Sequence, residues 1–154
     1  MEAKGIMTRD VIVAKRDTPV SDIIHLLLKH RISGVPIVNE ENEVIGVVTE
    51  ADLIQKKKLP TPLELIYNLG RYMNSEQLAE EHKKLRGEKA ADIMTSNAIC
   101  VKEDSDVVKI ASLLIKKGIK RVFVTRGKKL VGVVSKADIL RGMAKSGEGS
   151  TRAS

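Results

Sequence analysis

Twice in this chain a valine-rich run containing a glycine ends in a hydroxyl residue, and an aspartate follows three positions later. Thr49 and Asp52 close Gly46-Val-Val-Thr-Glu-Ala-Asp-Leu-Ile, and Ser135 and Asp138 close Gly132-Val-Val-Ser-Lys-Ala-Asp-Ile-Leu. Two chemistries fit this spacing. In a capping box the hydroxyl accepts a backbone N–H of the first helical turn and the acid three residues on bonds back to the cap. A helix N-terminus that follows a strand is also a preformed anion site, with unbonded N–H groups and a positive dipole end. A hydroxyl there can donate to phosphate, and a carboxylate can accept both hydroxyls of a ribose. On the local pattern alone, capping has the advantage, because it needs no ligand.

The two copies belong to a longer repeat. Gly46 pairs with Gly132, Ala51 with Ala137 and Asp52 with Asp138 at one offset. Upstream, at an offset one residue longer, Ile6-Met7-Thr8 pairs with Ile93-Met94-Thr95, Asp17 with Asp104, Val20 with Val107 and Ile23 with Ile110. Self-similarity of this extent outranks a single motif as a guide to architecture. Thr18 and Pro19 predict an N-cap and first helical residue, with Val20, Ile23, Ile24, Leu27 and Leu28 on one helical face. Val35–Val38 and Val44–Val48, joined by a polar turn, predict two short buried antiparallel strands, and a helix follows Thr49. The second copy has the same order, with Val107, Ile110, Ala111, Leu114 and Ile115 as its helical stripe. Adding a short strand near Val11 and another near Ala98, each half reads β-α-β-β-α, a mixed α/β (α+β) fold.

The predicted division is a first repeat at 1–58, a helical insert at 59–87, a second repeat at 88–145 and a disordered tail at 146–154. Thr61, Pro62 and Glu64 predict a capped helix start in the insert, Gly70 its stop, and Asn74 the start of a second helix. Each repeat alone is small enough to be marginally stable, so the halves are expected to share a core. Hydrophobic residues make up 42% and charged residues 31% of the 154. No apolar run reaches the roughly 20 residues that span a bilayer, and the N-terminal residues lack the apolar stretch of a signal peptide. One cysteine, Cys100, permits no internal disulfide, so a cytoplasmic protein is expected, with Cys100 a small buried side chain. The net charge of +7 admits an anionic ligand or nucleic acid, whereas one Phe and two Tyr give little stacking surface for single strands.

His25, His30 and His82 share no metal-ligand spacing, and no metal site is expected. Arg9 could reach a phosphate or sit in a solvated loop. Pro36 removes a ladder donor from its strand, which suits an edge or a bend, and Phe123 stands in its place in the second copy. Lys56-Lys57-Lys58 and Lys128-Lys129 read as solvated surface.

The Ile-Met-Thr segments, the helix starts at Asp17-Thr-Pro-Val and Asp104-Ser-Asp-Val, the Gly34-Val-Pro-Ile-Val and Arg121-Val-Phe-Val strands and the two closing motifs together resemble tandem cystathionine beta-synthase (CBS) domains, the Bateman module. The resemblance runs from about Gly5 to Met143. It implies two β-α-β-β-α repeats packed with pseudo-twofold symmetry around two clefts for adenosine-containing ligands. One site would comprise Ser33, Thr49 and Asp52, closed by Thr95, Cys100, Ile119 and Lys120. The other would comprise Lys120, Arg121, Ser135 and Asp138, closed by Thr8, Val13, Ile32 and Ser33. The sites are expected to differ, since Ser33 and Gly34 stand where the second repeat has Lys120 and Arg121, and alternation along a strand turns only one of that pair to the cleft.

No nucleophile with a paired base, metal cluster or Walker-type phosphate loop stands out, so an enzyme is not expected and no cofactor is required. The leading expectation is a regulatory protein that senses AMP, ADP, ATP or S-adenosylmethionine and signals to a protein partner by conformational change. Resemblance adds a homodimer. Two further readings stay open: a nucleic-acid-binding protein using its basic surface, and an assembly module with empty clefts.

Overall fold

A computed structural model of the chain describes residues 1–56, 88–96 and 98–153. The expected insert helices, with Thr61, Gly70, Asn74 and His82, lie outside the described residues. In chain order the elements are α1 (Ala3–Ile6), α2 (Val20–His30), β1 (Gly34–Val38), β2 (Val44–Thr49), α3 (Glu50–Lys56), α4 (Ala90–Ile93), β3 (Cys100–Lys102), α5 (Val107–Lys117), β4 (Arg121–Arg126), β5 (Lys129–Ser135) and α6 (Lys136–Ala153). The fold is mixed α+β with two small sheets.

Two compact units emerge, one of Ile12–Asn97 and one of Met1–Val11 with Ala98–Ser154. We call them the first-repeat and second-repeat units. Each takes its opening hydroxyl segment from the other repeat. Ala3–Thr8 packs with the second repeat, where Thr8 bridges Val133, and Ala90–Thr95 packs with the first, where Thr95 bridges Val47. Among the described residues, buried apolar side chains form one cluster within each unit. One holds Val20, Ile23, Ile24, Leu27, Val35, Ile37, Val48, Leu53 and Ile93. The other holds Met7, Val107, Ile110, Leu114, Val122, Val124, Val134 and Ile139. Met7 and Ile93 come from the exchanged segments, so each repeat enlarges its core with a residue of the other repeat's opening segment.

In the first-repeat unit, Val20, Ile23, Ile24 and Leu27 bury one face of α2, as their helical spacing requires. The cap lies one residue later than Thr18. Pro19 is the N-cap with an extended ψ of 142°, and the Thr18 hydroxyl accepts the Lys15 N–H at 2.9 Å, closing the preceding turn. β1 and β2 pair antiparallel with Pro36 opposite Val47 and Gly34 opposite Thr49. The strand expected near Val11 is reduced to one bridge, Ala14 to Ile37.

The second-repeat unit has the full three-stranded order β3-β4-β5. Here the Phe123 N–H donates to the Ile99 carbonyl at 3.1 Å. Pro36, at the equivalent position, has no N–H with which to reach Ile12, the counterpart of Ile99, so the parallel ladder starts one residue later, at Ala14, and stays a single bridge. Asp106 caps α5 by accepting the Val108 N–H at 3.0 Å. Helix α6 runs to Ala153, past Ser146, where a disordered tail is expected.

Candidate functional site

Thr49 and Ser135 end β2 and β5, and Asp52 and Asp138 are the third residues of α3 and α6. Capping is reciprocal in both units. The Thr49 N–H and hydroxyl donate to Asp52 Oδ2 at 2.9 and 3.2 Å, and the Asp52 N–H donates to Thr49 Oγ1 at 3.3 Å. The Ser135 N–H and hydroxyl donate to Asp138 Oδ2 at 2.8 and 3.0 Å, and the Asp138 N–H donates to Ser135 Oγ at 3.3 Å. Relative exposures of 8% for Asp52 and 3% for Asp138 mean that these carboxylates depend on such bonds, because desolvating an unbonded charge is costly.

The second carboxylate oxygen is met by the exchanged segment. Thr95 Oγ1 donates to Asp52 Oδ1 at 2.9 Å and Thr8 Oγ1 to Asp138 Oδ1 at 3.0 Å. Gly46 and Gly132 make this approach possible. A Cβ on Gly46 would lie 2.8 Å from Met94 Sδ and 2.9 Å from the Thr95 carbonyl oxygen. On Gly132 it would lie 2.5 Å from Met7 Sδ and 3.1 Å from the Thr8 carbonyl oxygen. The repeated glycines therefore let the Met-Thr backbone close over the strand and bring its hydroxyl to the aspartate.

Two differences separate the sites. Arg141, one turn along α6, donates from a guanidinium nitrogen to Asp138 Oδ1, whereas Gln55 holds the equivalent position in the first repeat. In the ladders, Gly34 stands opposite Thr49 and Arg121 opposite Ser135. A Cβ on Gly34 would lie 3.2 Å from the Thr49 methyl. Serine lacks that methyl, so this contact has no counterpart beside Ser135.

The expected site residues fall as follows. Ser33, Thr49, Asp52 and Thr95 lie in the first-repeat unit with Val13 and Ile32, and Thr8, Cys100, Ile119, Lys120, Arg121, Ser135 and Asp138 lie in the second-repeat unit. Within units, hydrogen bonds join Thr49, Asp52 and Thr95, and likewise Thr8, Ser135 and Asp138. The Ser33 carbonyl accepts the Glu50 N–H at 3.0 Å, tying it to the start of α3. Lys120 is exposed just before β4, and Ile32 and Ile119 are half-buried beside the cores of their own units. Cys100 is exposed rather than buried, because it begins the outer strand β3. Partial desolvation pushes its thiol above the ordinary range, which lowers the thiolate fraction a nucleophile needs. Arg9 donates to the Lys4 carbonyl at 3.2 Å. Arg141 escaped the sequence reading, although its place three residues beyond an N3 aspartate on a helix was a usable signal. Among the described residues no cluster of three His, Cys, Asp or Glu could hold a metal, and no helix is long and apolar enough to cross a membrane.

A family model described as the CBS domain matches residues 3–58 and again 90–145. Over 154 aligned residues the chain is 30% identical to the uncharacterized protein MJ1426 of Methanocaldococcus jannaschii, covering 93% of this chain and 91% of that one. Among solved structures it resembles CBSX2 of Arabidopsis thaliana in complex with AMP, at a TM-score of 0.70 and 24% identity, covering 94% of this chain and 96% of that one. It also resembles the CBS domain pair of MJ0100 in complex with 5′-methylthioadenosine and S-adenosyl-L-methionine, at a TM-score of 0.66 and 24% identity, covering 95% of this chain and 98% of that one. At that identity the two structures speak to the fold. With both repeats matched in order, the chain belongs to the CBS domain family, as a tandem CBS pair.

Proposed function

We propose that this chain is a regulatory module that binds an adenosine-containing ligand, AMP, ADP, ATP or S-adenosylmethionine, and has no catalytic activity of its own. The observation that carries the reading is the pair of buried aspartates at strand-to-helix junctions, each beside a hydroxyl and a helix N-terminus. A ribose diol suits the carboxylate, and a phosphate suits the hydroxyl and the positive end of the helix dipole. The ligands named for CBSX2 and for MJ0100 are of this class. Ser33, Thr49, Asp52 and Thr95 serve one ligand in this reading. Thr8, Lys120, Arg121, Ser135 and Asp138 serve the other. The protein is a cytoplasmic homodimer, and the ligand signals to a protein partner because it binds two conformations with different affinity.

Calorimetric titration of AMP, ATP and S-adenosylmethionine into the wild type and into Asp52→Asn and Asp138→Asn tests this. Asparagine keeps the shape and one acceptor of the capping box. Each substitution is expected to weaken one site about 10- to 100-fold, the cost of losing a charged acceptor for ribose. Binding indifferent to both substitutions sinks the assignment.

A second reading has its own support, since both carboxylates are already hydrogen-bonded within their units. In that reading the boxes are structural and the chain is an assembly module. A melting temperature that fails to rise with any of the three ligands favours it, because a ligand selective for the native state must stabilise that state.

A further inference from the structure

We infer that Arg141 sets the ligand preference of the Asp138 site, favouring adenosine ligands that carry a phosphate over uncharged ones; this rests on the nucleotide-binding reading above. Oδ2 of Asp138 is committed to the Ser135 N–H and hydroxyl. Oδ1 is the oxygen left for a ligand, and it already accepts from Thr8 and Arg141. A carboxylate oxygen has two lone-pair directions, so a ribose hydroxyl arriving at Oδ1 must displace one of them.

Thr8 is the harder to move. Its N–H donates to the Val133 carbonyl and its carbonyl accepts the Val133 N–H, both at 2.9 Å, which fixes the hydroxyl by its own backbone. The Arg141 side chain is 65% exposed over a carboxylate that is 4% exposed. It reaches back toward the helix start, the direction in which helical side chains lean. Arg141 therefore yields its place to the ligand. Its guanidinium stays charged and remains tethered beside the bound ribose. A ligand phosphate offers it two parallel hydrogen bonds in exchange for the one given up. An uncharged nucleoside removes the old partner and supplies none. The first repeat has the uncharged Gln55 at this position.

The test is calorimetric titration of AMP and adenosine into the full chain at fixed salt, comparing wild type, Arg141→Gln, Arg141→Lys and Gln55→Arg. Asp138→Asn identifies the heat that belongs to this site. Arg141→Gln is expected to lower the ratio of AMP to adenosine affinity about tenfold at the Asp138-dependent site, weakening AMP and strengthening adenosine, while Arg141→Lys keeps part of the preference. Gln55→Arg is expected to raise the ratio at the other site. If Arg141→Gln leaves the ratio unchanged, or weakens both ligands equally, the inference is overturned and ligand binding still stands. Absence of binding by either probe to the wild type overturns both together.

Discussion

The two units differ most where one backbone N–H differs. In the second-repeat unit the Phe123 amide bonds to Ile99 and a three-residue parallel strand forms beside β4. In the first-repeat unit Pro36 has no amide proton, and the counterpart of that strand survives through the Ala14 N–H to the Pro36 carbonyl at 3.1 Å and the Val38 N–H to the Ala14 carbonyl at 2.9 Å. The helix ends differ in the same manner. Gly118 closes α5 in the left-handed conformation at a φ of 62°, whereas Arg31 closes α2 at a φ of 53°. At these two positions the second copy has the residue the backbone accepts more readily, and the first copy tolerates the costlier one. What both copies keep is narrower: a glycine under the Met-Thr segment, a hydroxyl at the strand end and an aspartate at the third helical position. The duplicated framework is free to drift at an edge strand and a helix cap, while the junction that carries the carboxylate is held.

The largest change expected comes from imposing the first copy's chemistry on the second. Phe123→Pro removes the bond to Ile99 and a buried aromatic ring together, and is expected to cost about 3–5 kcal/mol. Chemical denaturation measures it, and hydrogen exchange should show β3 losing protection while β1 and β2 keep theirs. Retained protection in β3 would show that side-chain packing, not the amide, maintains that strand.

Gly46→Ala comes next, at about 1–3 kcal/mol, because the new methyl meets the Thr95 carbonyl at 2.9 Å. Gly132→Ala should cost less. Its closest contact is the thioether of Met7, a flexible side chain, and the Thr8 carbonyl is farther, at 3.1 Å. The reverse order of the two midpoints would break the account of why both glycines recur. The smallest effect has the opposite sign. Arg31→Gly gives the first copy the second copy's helix end and is expected to stabilise by about 0.5–1 kcal/mol, relieving a left-handed non-glycine residue. A neutral or destabilising result would mean that the Arg31 side chain contributes more than its conformation costs.

Much of this was legible beforehand, for physical reasons that can be named. Helical stripes such as Val20, Ile23, Ile24 and Leu27, and the short apolar run Val44–Val48, are local consequences of burial and can be read directly. The capping box was equally visible, since its partners lie within one turn. Resemblance brought Thr8 toward Asp138 and Thr95 toward Asp52, but the hydrogen bonds themselves, spanning 130 and 43 residues, have no local signature. Pro36 was recognised as a missing donor; its consequence, the loss of a strand 20-odd residues earlier, depended on knowing which carbonyl would have been its partner. The shift of the cap from Thr18 to Pro19 is of the kind that terminal residues commonly show.

The exchange of opening segments also fixes an order of events at the ribosome. The first-repeat unit, Ile12–Asn97, is continuous in sequence, and all of it exists once residue 97 has emerged. Met1–Val11 is made before that unit, yet its partners, including Val133 and Asp138, come more than a hundred residues later. Domains tend to fold as their residues become available, so Met1–Val11 is expected to dock after the unit that follows it in sequence. Arrested nascent chains of increasing length would check this: protection of Met7 and Thr8 from proteolysis should appear only after Asp138 has cleared the exit tunnel.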